Sequence, residues 1–229
     1  MKLSVIIPAY NEKDTILKIL DRVDKTPLSI EKEIIIIDDF STDGTGDILK
    51  NIKKKNIKIF YHKKNMGKGY AIRTGLQHIT GDIVIIQDAD LEYDPNDYQK
   101  LIDPIIKSKA KVVYGSRNLG KGKHERSHFS FYIGGVFLSK LANLLYGIKI
   151  TDEPTGYKLF KTEIIKNIDL KCKKFEFCPE VTAKIAKKKI KIYEVPISYH
   201  PRKKSEGKKI RWKDGVEAIW TLLKYRFVD

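Results

Sequence analysis

The sequence predicts an α/β fold, with one mostly parallel central sheet flanked by helices. Three observations carry this. Short β-branched apolar runs recur, at residues 3–8, 34–37 and 83–86, and read as strands buried on both faces. Helix-forming segments with turn and cap residues alternate with them. Carboxylates stand at the ends of these runs, at Glu12, Asp38–Asp39 and Asp88–Glu92.

In order, Leu3–Pro8 is a first strand, and Asn11 can cap a helix that runs to about Val23. Ile34–Ile37 is a second strand, and Ser41–Thr45 supplies turn and cap chemistry for a second helix. Ile57–Tyr61 is a third strand. A glycine loop, Asn65–Gly69, precedes a helix from Tyr70 to about Ile79. The fourth strand ends in three carboxylates within five residues, a helix follows Pro95, and Lys111–Gly115 is a fifth strand. Right-handed crossovers place the carboxyl ends of such strands on one edge, where open α/β sheets bind ligands.

The second half is less regular. Residues 120–126 form a basic glycine-containing loop, and residues 129–146 are strongly apolar. A membrane span needs about 20 predominantly apolar residues. This stretch is shorter, contains Lys140 and is followed by Lys149, so it reads as a core or interfacial helix. Val181–Ala186 is a helix and Lys191–Ile197 a strand; a dense basic segment follows at residues 200–213. In the last helix Trp220, Leu223 and Phe227 share one face, read first as the face that docks on the domain, with interfacial membrane binding as the alternative.

A chain of 229 residues with 41% hydrophobic residues is long enough for one sizeable core, or at most two small ones. The net charge of +16 favours anionic partners, such as phosphorylated small molecules or an anionic membrane surface. Two cysteines without zinc spacing point to a reducing compartment. The N-terminus enters a strand almost at once, so no signal peptide is expected. A nucleic-acid-binding module would explain the charge but not acids at three strand ends, and no nucleic acid is expected as a partner.

Asp88, Asp90 and Glu92 crowd negative charge at one strand end, and a hard divalent cation, Mg²⁺ or Mn²⁺, resolves the conflict. A metal held by carboxylates leaves room for substrate phosphates and acts as a Lewis acid on a diphosphate leaving group. Neither a G-x-G-x-x-G nor a P-loop frame is present.

Pro8-Ala9-Tyr10-Asn11-Glu12, Asp38-Asp39-x-Ser41-x-Asp43-Gly44-Thr45, Asn65-x-Gly67-Lys68-Gly69, Asp88-Ala89-Asp90 and Gly115-Ser116-Arg117 occur in that order. Thr155-Gly156-Tyr157-Lys158 and Glu194-Val195-Pro196-Ile197-x-Tyr199-x-x-Arg202 extend the series. Together they resemble the family 2 glycosyltransferases, in particular the dolichol-phosphate mannose synthase and polyprenyl-phosphate glycosyltransferase branch. The resemblance implies a GT-A fold across residues 1–229 as a single domain. Residues 1–117 would be the nucleotide-sugar half, and residues 118–229 the acceptor half with its basic C-terminal segment. It implies inverting transfer from a nucleotide-diphosphate sugar (GDP-mannose or a UDP-hexose) to a polyprenyl or dolichyl phosphate, at the cytoplasmic face of a membrane touched peripherally or through a membrane partner.

By the same resemblance, Pro8, Ala9, Tyr10, Glu12, Asp39, Lys68 and Asp88 bind the nucleotide. Asp88, Asp90 and Glu92 hold the metal, although the third position is often Gln in the mannose synthases. Arg117, Arg126, Ser130 and Arg202 meet the acceptor phosphate. Asp90 is expected at the catalytic centre. An ionised phosphate acceptor needs no strong base; a glycan or other hydroxyl acceptor does, and Asp152 and Glu180 are the candidates. A sugar-1-phosphate nucleotidyltransferase would show a Gly-rich basic loop after the first strand, which residues 8–12 are not.

Overall fold

The β-branched runs do become interior strands. Val5, Ile6, Ile7, Ile34–Ile37 and Ile83–Ile86 are all buried, each well-buried Ile or Val contributing about 1.5–3 kcal/mol. The computed structural model describes residues 1–120, 129–202 and 209–228, without the side chains of residues 129 and 130. Arg126, the Ser130 side chain and the basic run 203–208 therefore lie outside the described residues.

The strands are β1 (Lys2–Ala9), β2 (Glu31–Asp38), β3 (Ile57–Tyr61), β4 (Ile83–Ile86), β5 (Val112–Ser116), β6 (Lys158–Lys161) and β7 (Ile192–Pro196). They form one seven-stranded sheet in the order β3-β2-β1-β4-β6-β5-β7. Only β6 runs antiparallel to its neighbours. Strand β6 was not expected from the sequence; its four residues, Lys-Leu-Phe-Lys, are too short to show a period.

The helices are α1 (Ile16–Lys25), α2 (Thr45–Lys50), α3 (Lys68–His78), α4 (Tyr98–Ile106), α5 (Phe129–Tyr146), α6 (Thr162–Lys166), α7 (Phe177–Lys187) and α8 (Trp212–Phe227). Two apolar layers cover the two faces of the sheet. One includes Ile16, Ile19, Leu101 and Ile102; the other includes Ile72, Phe177, Val181 and Leu222.

Asn11 does not cap α1, which begins four residues later than expected, after Thr15. Asn11 lies at φ 51°, and its side chain instead accepts from the Thr42 amide at 2.8 Å. This ties the loop after β1 to the loop after β2.

The last helix also differs from expectation. Its docked face is Ala218, Thr221, Leu222 and Tyr225, whereas Trp220 and Phe227 are 64% and 84% exposed. Both faces are apolar and follow helical spacing, so periodicity alone could not choose between them. Among the described residues no helix is long and apolar enough to cross a membrane.

Candidate active site

β1 lies between β2 and β4, and the chain leaves these strands in opposite directions across the sheet. This switch point opens a crevice at the strand ends. The resulting cleft, about 1930 Å³, is lined at the sheet by Pro8, Ala9, Tyr10, Glu12, Asp39 and Lys68 and by the acids Asp88, Asp90 and Glu92. Arg117, Asp152 and Arg202 come from the second half, and α5 and α8 close it over. The structure thus gathers nearly every described residue expected at the site. Glu180 is the exception.

The acids are interleaved with cations. Lys68 Nζ lies 2.5 Å from Asp88 Oδ1. Burial works against the Lys68 charge, but Asp88 outweighs it and raises the pKa. Asp90 is crowded: burial, then Asp88, then Glu92 push its pKa up to about 7, against the opposing pull of Arg202. Gly156 packs against Asp88, where a Cβ would stand 2.6 Å from Oδ2.

Glu92 is placed differently from the expectation of a third metal ligand. Its carboxylate accepts from Tyr199 Oη at 3.1 Å and from the Arg202 amide at 2.8 Å, clasping the segment after β7. Among the described residues no three His, Cys, Asp or Glu side chains are grouped to hold a metal. Asp88 and Asp90 nonetheless fit a hard cation. They are two oxygen donors in a site with excess negative charge, and Mg²⁺ commonly takes one or two carboxylates and completes its shell with phosphates and water.

Glu12 and Asp39 are engaged within the protein. Glu12 accepts Arg202 Nη1 and Nη2 at 3.1 Å each and Lys209 Nζ at 2.6 Å. Burial alone would raise its pKa, but Lys209 and Arg202 lower it overall. Lys209 also reaches the Tyr10 carbonyl. Asp39 accepts from the Met66 and Gly67 amides at 2.8 and 2.7 Å and contacts His62 Nδ1 at 2.7 Å. It fixes the glycine loop, and Gly67 is required there: φ is +92° and a Cβ would strike the Lys173 carbonyl.

Arg117 Nε and Nη2 donate to the two Asp152 carboxylate oxygens at 2.8 and 2.7 Å, and its backbone amide adds a third bond. Against the effect of burial, Arg117 holds the Asp152 pKa below the usual carboxylate value. Asp152 is therefore a weak proton acceptor, contrary to its candidacy as a base. Glu180 lies outside the cleft lining. It receives the Lys171 and Cys172 amides and Lys184 Nζ, at 2.6–2.7 Å, and fastens the chain before α7.

Sequence reasoning missed Lys209, Tyr199 and Glu153 as site residues. Glu153 lines the cleft and is fully buried, with no hydrogen bond to either carboxyl oxygen. Its neighbour Asp152 and the Thr-Gly-Tyr-Lys motif marked the loop, but nothing local distinguished it from a solvated glutamate.

Comparison with known proteins agrees with this geometry. The family model described as "Glycosyl transferase family 2" matches residues 4–169. The dolichol-phosphate mannosyltransferase of Pyrococcus furiosus is 29% identical over 217 residues, 91% of this chain, and the chain spans only 59% of that protein's length. The UDP-N-acetylglucosamine–dolichyl-phosphate N-acetylglucosaminyltransferase of Methanococcus voltae is 32% identical over 212 residues, covering 84% of this chain and 83% of that protein. The glucosyl-3-phosphoglycerate synthase of Mycobacterium tuberculosis, solved with Mn²⁺, UDP and phosphoglyceric acid, superposes with a TM-score of 0.73 at 18% identity, over 100% of this chain and 79% of that one. With the model matched over most of its length and its motifs lining one cleft, the chain belongs to glycosyl transferase family 2.

Proposed function

We propose that this protein is an inverting glycosyltransferase that moves a hexosyl group from a nucleotide-diphosphate sugar to a polyprenyl or dolichyl phosphate. One observation carries the reading. The Lys68–Asp88–Asp90 cluster stands at the switch point of the sheet, and Arg117 and Arg202 line the same cleft from the second half. A diphosphate and an acceptor phosphate each then have a cationic partner. The names of the Pyrococcus and Methanococcus relatives, both acting on dolichyl phosphate, support the acceptor. The first 117 residues would handle the donor and residues 118–229 the acceptor.

Asp88 and Asp90 would hold Mg²⁺ or Mn²⁺, as the Mn²⁺ and UDP of the mycobacterial structure suggest. When bound, the metal supplies Lewis-acid neutralisation of the leaving diphosphate. Lys68 adds a second positive charge there. The loop after β1 receives the nucleoside, and Asp39 keeps the glycine loop closed beneath it. An acceptor phosphate oxygen attacks the anomeric carbon. That new C–O bond forms as the bond to the diphosphate breaks, and the nucleoside diphosphate leaves with the electron pair. Arg117 and Arg202 orient the acceptor through charge-assisted hydrogen bonds.

The state of Asp152 removes one of the two bases considered for a hydroxyl acceptor. A hydroxyl needs a base, and Asp152 is held ionised and fully engaged by Arg117. A lipid acceptor calls for peripheral contact with a membrane surface, which we assign to the cytoplasmic leaflet. The test is a panel of GDP- and UDP-sugars with a C55 polyprenyl phosphate, with Mn²⁺ or with EDTA. Metal-dependent appearance of lipid-linked sugar is expected. Transfer to hydroxyl acceptors alone, or pyrophosphate release from a nucleoside triphosphate, would overturn the reading.

A further inference from the structure

Helix α8 is apolar on two opposite faces. At about 100° per residue, Ala218, Thr221, Leu222 and Tyr225 fall within one arc, the docked one. Trp212, Val216, Trp220, Leu223 and Phe227 fall within roughly 80° on the other side, and all five are exposed. Lys213 and Lys224 border this stripe on one edge, beside Glu217, and Arg226 borders it on the other. Helix α5 packs against α8, and Tyr146 Oη donates to the Leu222 carbonyl at 2.6 Å. It has its own exposed stripe, Ile133, Phe137 and Leu144, with Lys140 among them. Scattered exposed apolar residues are ordinary, but two packed helices each carrying a stripe, one with both tryptophans of the chain, are not.

The cleft opens at the same helices. Tyr132 at the start of α5 and Trp212 at the start of α8 are both exposed and both line it. Gly215 and Ala218 line it from the inner side of α8. The helix is thus a partition with the reaction cleft behind it and an apolar stripe in front.

We infer that the exposed stripes of α5 and α8 lie in the interface of an anionic bilayer leaflet, with the mouth of the cleft between their N-terminal ends opening toward the lipid. The charge argues for this occupant. Cations flank the stripe, tryptophans suit the level of the headgroups, and Lys140 can extend its ammonium out of the apolar layer. The chain's net charge of +16 would repel a second copy of itself while favouring an anionic surface. The inference deepens the proposed lipid-phosphate acceptor, on which its link to catalysis rests: the phosphate enters the cleft while the isoprenoid stays in the leaflet.

Trp212 and Trp220 are the only tryptophans, so tryptophan fluorescence, excited selectively over the twelve tyrosines, reports on α8 alone. The full chain is mixed with vesicles of phosphatidylcholine and phosphatidylglycerol, or of phosphatidylcholine only, without donor or acceptor. Expected are co-sedimentation with the anionic vesicles, a blue shift of the emission, and quenching by lipids brominated near the headgroup. The double variant Val216→Asp, Phe227→Asp, altered only at exposed positions, should keep the melting temperature and lose vesicle binding at least tenfold. It should also keep transfer to a short, water-soluble polyprenyl phosphate and lose transfer to a long-chain one in vesicles. Vesicle binding without a change in emission, no binding at all, or a concentration-dependent dimer that buries the tryptophans would each overturn the inference. Failure of transfer to every lipid phosphate, with vesicle binding intact, would sink the acceptor assignment and leave the membrane face standing.

Discussion

The Arg202 guanidinium sits on Glu12, 3.1 Å from each carboxylate oxygen, while Nη2 also reaches Asp90 Oδ2 at 3.3 Å. One side chain from the segment after β7 thereby bridges the loop after β1 and the acids after β4. Arg202→Lys keeps the charge but loses the fork. The expected outcome is a rise of about tenfold or more in the acceptor KM, for the loss of one charge-assisted bond, with the donor KM little changed. Equal losses for both substrates would show that Arg202 serves the whole cleft rather than the acceptor.

Asp90→Asn removes a charge from a crowded cluster. Its folded stability should hold or rise, because burial and two neighbouring carboxylates already penalise the ionised form. Transfer should fall by about 10²–10³-fold, the scale of losing one preorganised electrostatic group. Thermal melting alongside a turnover assay separates the two effects, and a variant with wild-type turnover would refute the site.

Glu180→Gln should behave in the opposite way. It leaves Lys184 buried beside a neutral partner and weakens the anchoring of residues 171 and 172. A loss of about 3 kcal/mol is expected in chemical denaturation, as for other broken buried pairs. Turnover per folded molecule should stay within about twofold, measured well below the melting temperature. A large fall in turnover with unchanged stability would restore Glu180 as a candidate base.

Glu153 gives a pH-dependent prediction. Burial raises its pKa, only partly offset by the positive charge of Lys158. The folded state therefore holds this proton to higher pH than the unfolded state does. Stability from this group is full at low pH and declines as pH rises from the unfolded pKa of about 4.3 through the raised folded one. Glu153→Gln should thus melt higher than wild type at pH 8, by about 2–4 °C per kcal/mol recovered, with the gap closing toward pH 4. A gap that widened toward low pH would mean that the carboxylate is stabilised in its charged form.

Much of this protein is legible in its sequence. The β-branched runs became β1, β2 and β4 because buried parallel strands tolerate no polar alternation. The acids at Asp88 and Asp90 reached the crevice because parallel crossovers send those strand ends to one edge. Strand β6 escaped notice because four residues carry no readable period, and Glu153 because burial leaves no mark on a residue's immediate neighbours.

What the sequence by itself determined is the parallel strands of the sheet, the edge where their carboxyl ends gather and the motifs that line the cleft, since these follow from local patterns with a fixed period or spacing. Only the tertiary structure decided that Glu92 clasps Tyr199, that Arg117 neutralises Asp152, that Glu180 is an anchor, and which face of α8 is left uncovered. Each of these depends on which side chains meet across gaps of about 8 to 110 residues, or on which of two similar faces finds a partner first. Such pairing energies belong to the packed chain as a whole, and no stretch of it carries them alone.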